Sequence, residues 1–151
     1  DNGGGQVVVS GHKAAVGRAV EIAKQKGARR AMMLTVSAPF HCALMQPAAD
    51  VMAEALSNVG MAAPVVPVVA NVVAGPLSDP DDIRKSLVAQ VTGTVRWREC
   101  VTYMAGAGVD RFCEIGSGRV LTGLLKKNAP AATGLAIATP DDIAAAAAQL
   151  K

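Results

Sequence analysis

Apolar residues recur at helical spacing through residues 13–26 (Ala15, Val16, Ala19, Val20, Ala23), behind a short β-branched run, Q-V-V-V-S at 6–10, that stops at Gly11. The pattern predicts a strand and then a helix ended by Gly27, and a second apolar run at 30–36 makes the opening third a β-α-β unit. Opening on a strand with no lead-in is what a chain cut from a longer one would show. Leu44, Ala48, Val51, Met52, Ala55 and Leu56 mark an amphipathic helix over 43–58, in which Pro47 is tolerable only in the first turn. His41 therefore stands just ahead of a helix N-terminus. Residues 64–70, P-V-V-P-V-V-A, read as an extended and largely buried segment that its prolines restrict to an edge, a bulge or a strand start.

Residues 78–82, S-D-P-D-D, combine a cap, a first-turn proline and early acids, so a helix should start there and run to about Val91. A further helix is expected over 96–107, a strand over 111–115, a helix over 121–127 after a Gly-Ser-Gly turn, and a strand over 135–138. Thr139-Pro-Asp-Asp142 then caps an alanine-rich helix expected to end at Lys151. Strands alternating with helices imply an α/β chain with a mainly parallel sheet, and no internal repeat is visible. One boundary is expected near Val36.

Composition narrows the class. With 51% hydrophobic and 18% charged residues, a chain of 151 residues can bury a core and should be globular. Its apolar runs are broken by prolines and fall short of the roughly 20 residues of a membrane span. The polar, glycine-rich start has no signal-peptide pattern. Cys42, Cys100 and Cys113 are odd in number and widely spaced, which suggests neither a disulfide framework nor a zinc site, and a reducing cytoplasmic setting is the simpler expectation. The net charge of +3 is spread out, without the basic face that nucleic acid requires. A mild positive balance still favours an acidic protein or a phosphorylated cofactor as partner.

Candidate chemistry gathers at residues 36–47, V-S-A-P-F-H-C-A-L-M-Q-P. A histidine on a strand-to-helix turn is held by backbone, and imidazole is the side chain that takes and returns a proton near neutral pH. Local features alone favour the plainer reading, in which His41 caps the helix or fills a polar niche. Lys24, Lys26, Arg29 and Arg30 are consistent with a face for an acidic partner and equally with a solvated surface. Met32 and Met33 are expected in the core. Gly116-x-Gly118 ahead of a helix reads as a tight turn, since no third glycine or ribose-binding acid follows at dinucleotide-fold spacing.

Six segments in order, Q-V-V-V-S-G-H (6–12), A-R-R-A (28–31), S-A-P-F-H (37–41) with L-M-x-P-A-A (44–49), P-V-V-P-V-V-A-N-V (64–72), Q-V-T-G-x-V-R-W (90–97) and E-I-G-x-G-x-V-L-T-G-L (114–124), resemble the acyltransferases that load malonyl groups from coenzyme A onto acyl carrier protein. The resemblance implies the C-terminal part of an α/β-hydrolase-like acyltransferase core over 37–151, with residues 1–36 forming part of a small ferredoxin-like subdomain. It implies that His41 deprotonates a serine, that the serine attacks the malonyl thioester to give an acyl-serine, and that the acyl group passes to the carrier protein's phosphopantetheine thiol. The backbone carbonyl of Gln90 would orient the His41 ring. From the sequence alone Gln90 is an ordinary residue near a helix end. Phe40 supports malonyl over methylmalonyl, and Asn2 matches an asparagine near the pocket of relatives. Malonyl-CoA and acyl carrier protein are the implied partners, with coenzyme A thioester as substrate and no bound cofactor.

The departure from the family pattern is the nucleophile. No serine here has glycine two places before and after it: Ser10 is flanked by Val8 and His12, Ser117 by Ile115 and Arg119. Ser117 stands where the family commonly has proline in a turn and is read as structural. The arginine that pairs with the malonyl carboxylate and the oxyanion-hole glutamine are also missing. The chain is thus expected to hold a base without its serine, to need the N-terminal half of the same protein, and to be inactive alone. Two further readings are a non-catalytic domain that binds a carrier protein or completes a subunit, and an enzyme that uses Cys42 as nucleophile beside His41.

Overall fold

A computed structural model describes residues 1–150, which form two compact units, one of Val8–Val95 and one of Asp1–Val7 with residues 96–150.

In the Val8–Val95 unit, helix α1 (Lys13–Gln25) ends as Gly27 turns the chain with φ +86°. A 3-10 turn (Ala43–Met45) leads into α2 (Gln46–Ser57), and Pro47 sits in its first turn, where its missing N–H has no helical partner to lose. Strands β1 (Val68–Ala70) and β2 (Gly75–Leu77) form an antiparallel hairpin, and α3 (Pro80–Thr92) packs on α2. Asp79 caps α3 as its sequence requires, its carboxylate accepting the N–H groups of Asp81 and Asp82 at 2.9 and 3.0 Å.

The other unit holds α4 (Trp97–Gly106), β3 (Arg111–Ile115), α5 (Val120–Asn128), β4 (Thr133–Ile137) and α6 (Pro140–Gln149). Strands β3 and β4 pair in parallel from Arg111↔Thr133 to Ile115↔Ile137, with α5 as the crossover. The core is Val101, Leu125 and Ala129, against which Trp97, Met104 and Phe112 pack. Thr139 and Asp142 close a reciprocal capping box at the start of α6. The expected last residue of that helix, Lys151, lies outside the described residues. The N-terminal residues are fastened to this unit: Arg98 Nε donates to the Asp1 carboxylate at 2.8 Å, and Asn128 Nδ2 to the Asn2 carbonyl at 2.9 Å.

The chain is α/β as predicted, but its pairing corrects the expectation in three places. Residues 6–10 and 30–36 form no strand, and Val7, Val9, Leu34 and Val36 are exposed. A β-branched run becomes a strand only beside a partner, and apart from an isolated bridge between Gly3 and Gln6 no strand pairs with these runs among the described residues. Of residues 64–70 only Val68–Ala70 pair, while Val65 is fully exposed, so the segment is not largely buried. The sheet is not mainly parallel, since one two-stranded pair is parallel and the other antiparallel. Strand β2, Gly-Pro-Leu, has no apolar alternation and was not predicted. It forms because the chain reverses through Ala74, which takes a left-handed φ of 55°.

Candidate functional site

His41 adopts φ 60°, a left-handed backbone uncommon outside glycine, at the turn that feeds the 3-10 segment and α2. Its Nδ1 lies 2.8 Å from the carbonyl oxygen of Gln90, 49 positions along the chain. Gln90 is in the last turn of α3, where backbone carbonyls have no intrahelical N–H to accept. One orphan carbonyl is thus satisfied by an imidazole, and its position at the negative end of the helix dipole suits a donor. A carbonyl only accepts, so Nδ1 carries the proton. In the neutral ring that arrangement leaves the lone pair on Nε2, and the side chain is exposed.

Phe40, 45% exposed, lies with its ring centroid 6.4 Å from that of His41 and tilted by 47°. The Cys42 thiol donates to the Pro39 carbonyl at 3.2 Å. The structure thus brings His41, Gln90 and Phe40 together in one unit. Asn2 belongs to the other unit, where its N–H donates to the Gln6 carbonyl at 3.0 Å and its carbonyl accepts from Asn128.

Other sequence candidates resolve simply. Ser117 sits in an exposed turn between Gly116 (φ 135°) and Gly118 (φ 97°), backbone conformations that need glycine. The N-terminus of α5 beyond it is occupied by the Glu114 carboxylate, which accepts from Leu121 N at 3.0 Å, Thr122 N at 2.7 Å and Thr122 Oγ1 at 2.6 Å. The Thr122 hydroxyl, followed by these amides, holds the Glu114 carboxyl below the usual carboxylate range. Sequence reading missed Glu114; the signal was an acid at a strand end ahead of a glycine turn and helix. Lys24 pairs with Glu21 at 2.8 Å on an exposed helix face. Met32 and Met33 are 53% and 43% exposed, not in the core, because the run that carries them has no strand or helix covering it among the described residues. Among the described residues no three His, Cys, Asp or Glu side chains are placed to hold a metal, and no helix is long and apolar enough to cross a membrane.

No family model matches the chain. The curated malonyl CoA-acyl carrier protein transacylase of Escherichia coli strain K12 is 48% identical over 145 residues, covering 96% of this chain and 47% of that protein. The transacylase of Bacillus subtilis strain 168 is 40% identical over 147 residues, covering 97% and 46%. The crystal structure of an acyl-carrier-protein S-malonyltransferase from Bartonella henselae superposes with a TM-score of 0.93 at 53% identity, over 99% of this chain and 48% of that one. The chain is similar over nearly its whole length to malonyl CoA-acyl carrier protein transacylases. It spans about half the length of the curated transacylases it matches. A second solved structure, of a type II PKS acyl-carrier protein in complex with its malonyl-transacylase, matches with a TM-score of 0.91 at 42% identity over 98% of this chain and 48% of that one.

Proposed function

We propose that the chain is the base-bearing part of a transacylase that moves malonyl from coenzyme A to the phosphopantetheine thiol of acyl carrier protein in fatty acid synthesis. The observation that carries this reading is the 2.8 Å contact from His41 Nδ1 to the Gln90 carbonyl, which leaves Nε2 as a proton acceptor. In the whole protein a serine from the part of the relatives this chain does not cover meets Nε2. As its oxygen attacks the malonyl carbonyl carbon, Nε2 takes the hydroxyl proton. The tetrahedral adduct then collapses with cleavage of the C–S bond, and the imidazolium returns the proton to the leaving thiolate. In the second half the phosphopantetheine thiol gives its proton to Nε2 and attacks the acyl-serine, and the serine oxygen leaves with that proton. The Gln90 carbonyl orients the ring and stabilises its charged form without a formal charge of its own.

Phe40 forms an apolar wall of the acyl site and Asn2 a substrate contact in the assembled protein. Residues 1–36 belong to a ferredoxin-like subdomain and 37–151 to the acyltransferase core. The coenzyme A thioester is substrate, no further cofactor takes part, and the setting is cytoplasmic.

Alone, the chain forms no acyl-enzyme. Incubation of the 151-residue chain with malonyl-CoA is expected to leave its mass unchanged, and addition of the serine-bearing part of the protein to give a malonyl adduct on that part. A stoichiometric adduct on this chain alone would overturn the reading. The second reading, a domain that binds a carrier protein or completes a subunit, draws on the exposed apolar runs at 7–9 and 32–36. Carrier-protein pull-down with the His41→Ala chain separates it from the first.

A further inference from the structure

The Arg84 guanidinium reaches from the second turn of α3 to the far end of α2: one terminal nitrogen donates to the Leu56 carbonyl and, at 3.1 Å, to the Val59 carbonyl. These are carbonyls at or just past the last turn of α2, where a helix lacks internal donors and its dipole is negative. At the opposite end of the same pair, the turn ahead of α2 sends His41 to the Gln90 carbonyl in the last turn of α3. The two helices are therefore antiparallel and fastened at both ends. Arg84 and Gln90 are six residues apart, about 9 Å along the axis, and α2, with its 12 residues, is about 18 Å long. With one end fastened by Arg84, the axial register of α3 against α2 is set, and with it the place of the Gln90 carbonyl.

We infer that Arg84 is a positioning residue for the His41 imidazole: by clasping the C-terminal carbonyls of α2 it fixes the register at which Gln90 meets Nδ1. The Arg84 side chain is only 25% exposed, so loss of the charged fork must be separated from loss of bulk. The inference rests on the reading of His41 as base, but its test reads the ring and not the reaction. A failure of the inference, seen in the ring, is therefore told apart from a failure of that reading, seen in the reaction.

The experiment is long-range 1H–15N NMR of the His41 ring in the 151-residue chain, as wild type, Arg84→Met, which keeps the stem without donors, and Arg84→Lys, which keeps the charge and one donor group. The wild-type ring is expected to be held as the Nδ1–H tautomer. In Arg84→Met the ratio of Nδ1–H to Nε2–H should fall about tenfold, the equivalent of one hydrogen bond's net contribution, with Arg84→Lys between the two. Amide spectra of α2 and α3 show whether each variant is folded. Should Arg84→Met unfold, Arg84→Lys decides: an unchanged tautomer ratio in a folded variant overturns the inference, and a partial fall supports it.

Discussion

Gly93 caps the end of α3 one turn beyond the carbonyl that holds His41, and its replacement by alanine is a severe local test of that end. A Cβ at Gly93 would lie 2.8 Å from the Ala89 carbonyl oxygen and 2.9 Å from a γ-methyl of Val72. Both are shorter than ordinary contacts, and they differ in how they give. Val72 can rotate or shift, whereas the Ala89 carbonyl accepts the Gly93 N–H at 2.9 Å and is fixed as backbone. The backbone of Gly93, φ −80° and ψ 159°, is open to alanine, so the strain is steric and not conformational. Removing glycine from the unfolded chain would by itself stabilise by about 0.4–1 kcal/mol. Overpacking against two neighbours costs about 1–3 kcal/mol, so the steric penalty outweighs the entropic gain. Gly93→Ala is therefore expected to be destabilised by about 1–2 kcal/mol net in urea unfolding followed by far-UV circular dichroism. Val72→Ala placed on top should recover part of that loss by removing the methyl contact, beyond its own separate effect. A Gly93→Ala chain as stable as the wild type, or more so, would refute the packing at this helix end.

Three further outcomes follow from the same structure. Leu125→Ala empties a core site 3% exposed beside Val101, Trp97 and Phe112 and should cost about 2–5 kcal/mol in denaturant unfolding. Asp79→Ala removes the acceptor for two α3 amides and should cost about 1 kcal/mol, read in the same assay. For Glu114 the folded carboxyl is held low by the Thr122 hydroxyl and the α5 amides. A depressed folded value gives stability that is present above the unfolded carboxylate value of about 4.3 and disappears as pH falls through the folded value. Glu114→Gln should then lower the melting temperature at pH 7 and leave a smaller loss on acidification to pH about 3 than the wild type shows.

What could be read from the sequence was what local chemistry decides. Asp79 with Pro80, and Thr139 with Pro140 and Asp142, announced two helix starts because caps act within four residues. Gly27 and the β3–α5–β4 crossover were legible for the same reason. Strand pairing was not, because a run such as 6–10 or 30–36 specifies a readiness to pair and not the partner. The His41–Gln90 contact spans 49 positions, and nothing in the local pattern of either residue announces it; the family resemblance supplied that pair. Arg84 was invisible in the sequence, since a basic residue early in a helix reads as a solvated side chain until the end of α2 is seen beneath it.

The central claim is that Nε2 of His41 accepts the proton of the attacking hydroxyl. Its most direct test is the single-turnover rate of malonyl transfer from malonyl-CoA to the serine in the whole protein, wild type against His41→Ala, with folding checked by circular dichroism. Loss of a general base predicts a rate lower by about 10²–10⁴-fold at pH 7. A folded His41→Ala protein that loads malonyl within about threefold of the wild-type rate, far short of that general-base effect, would contradict the claim.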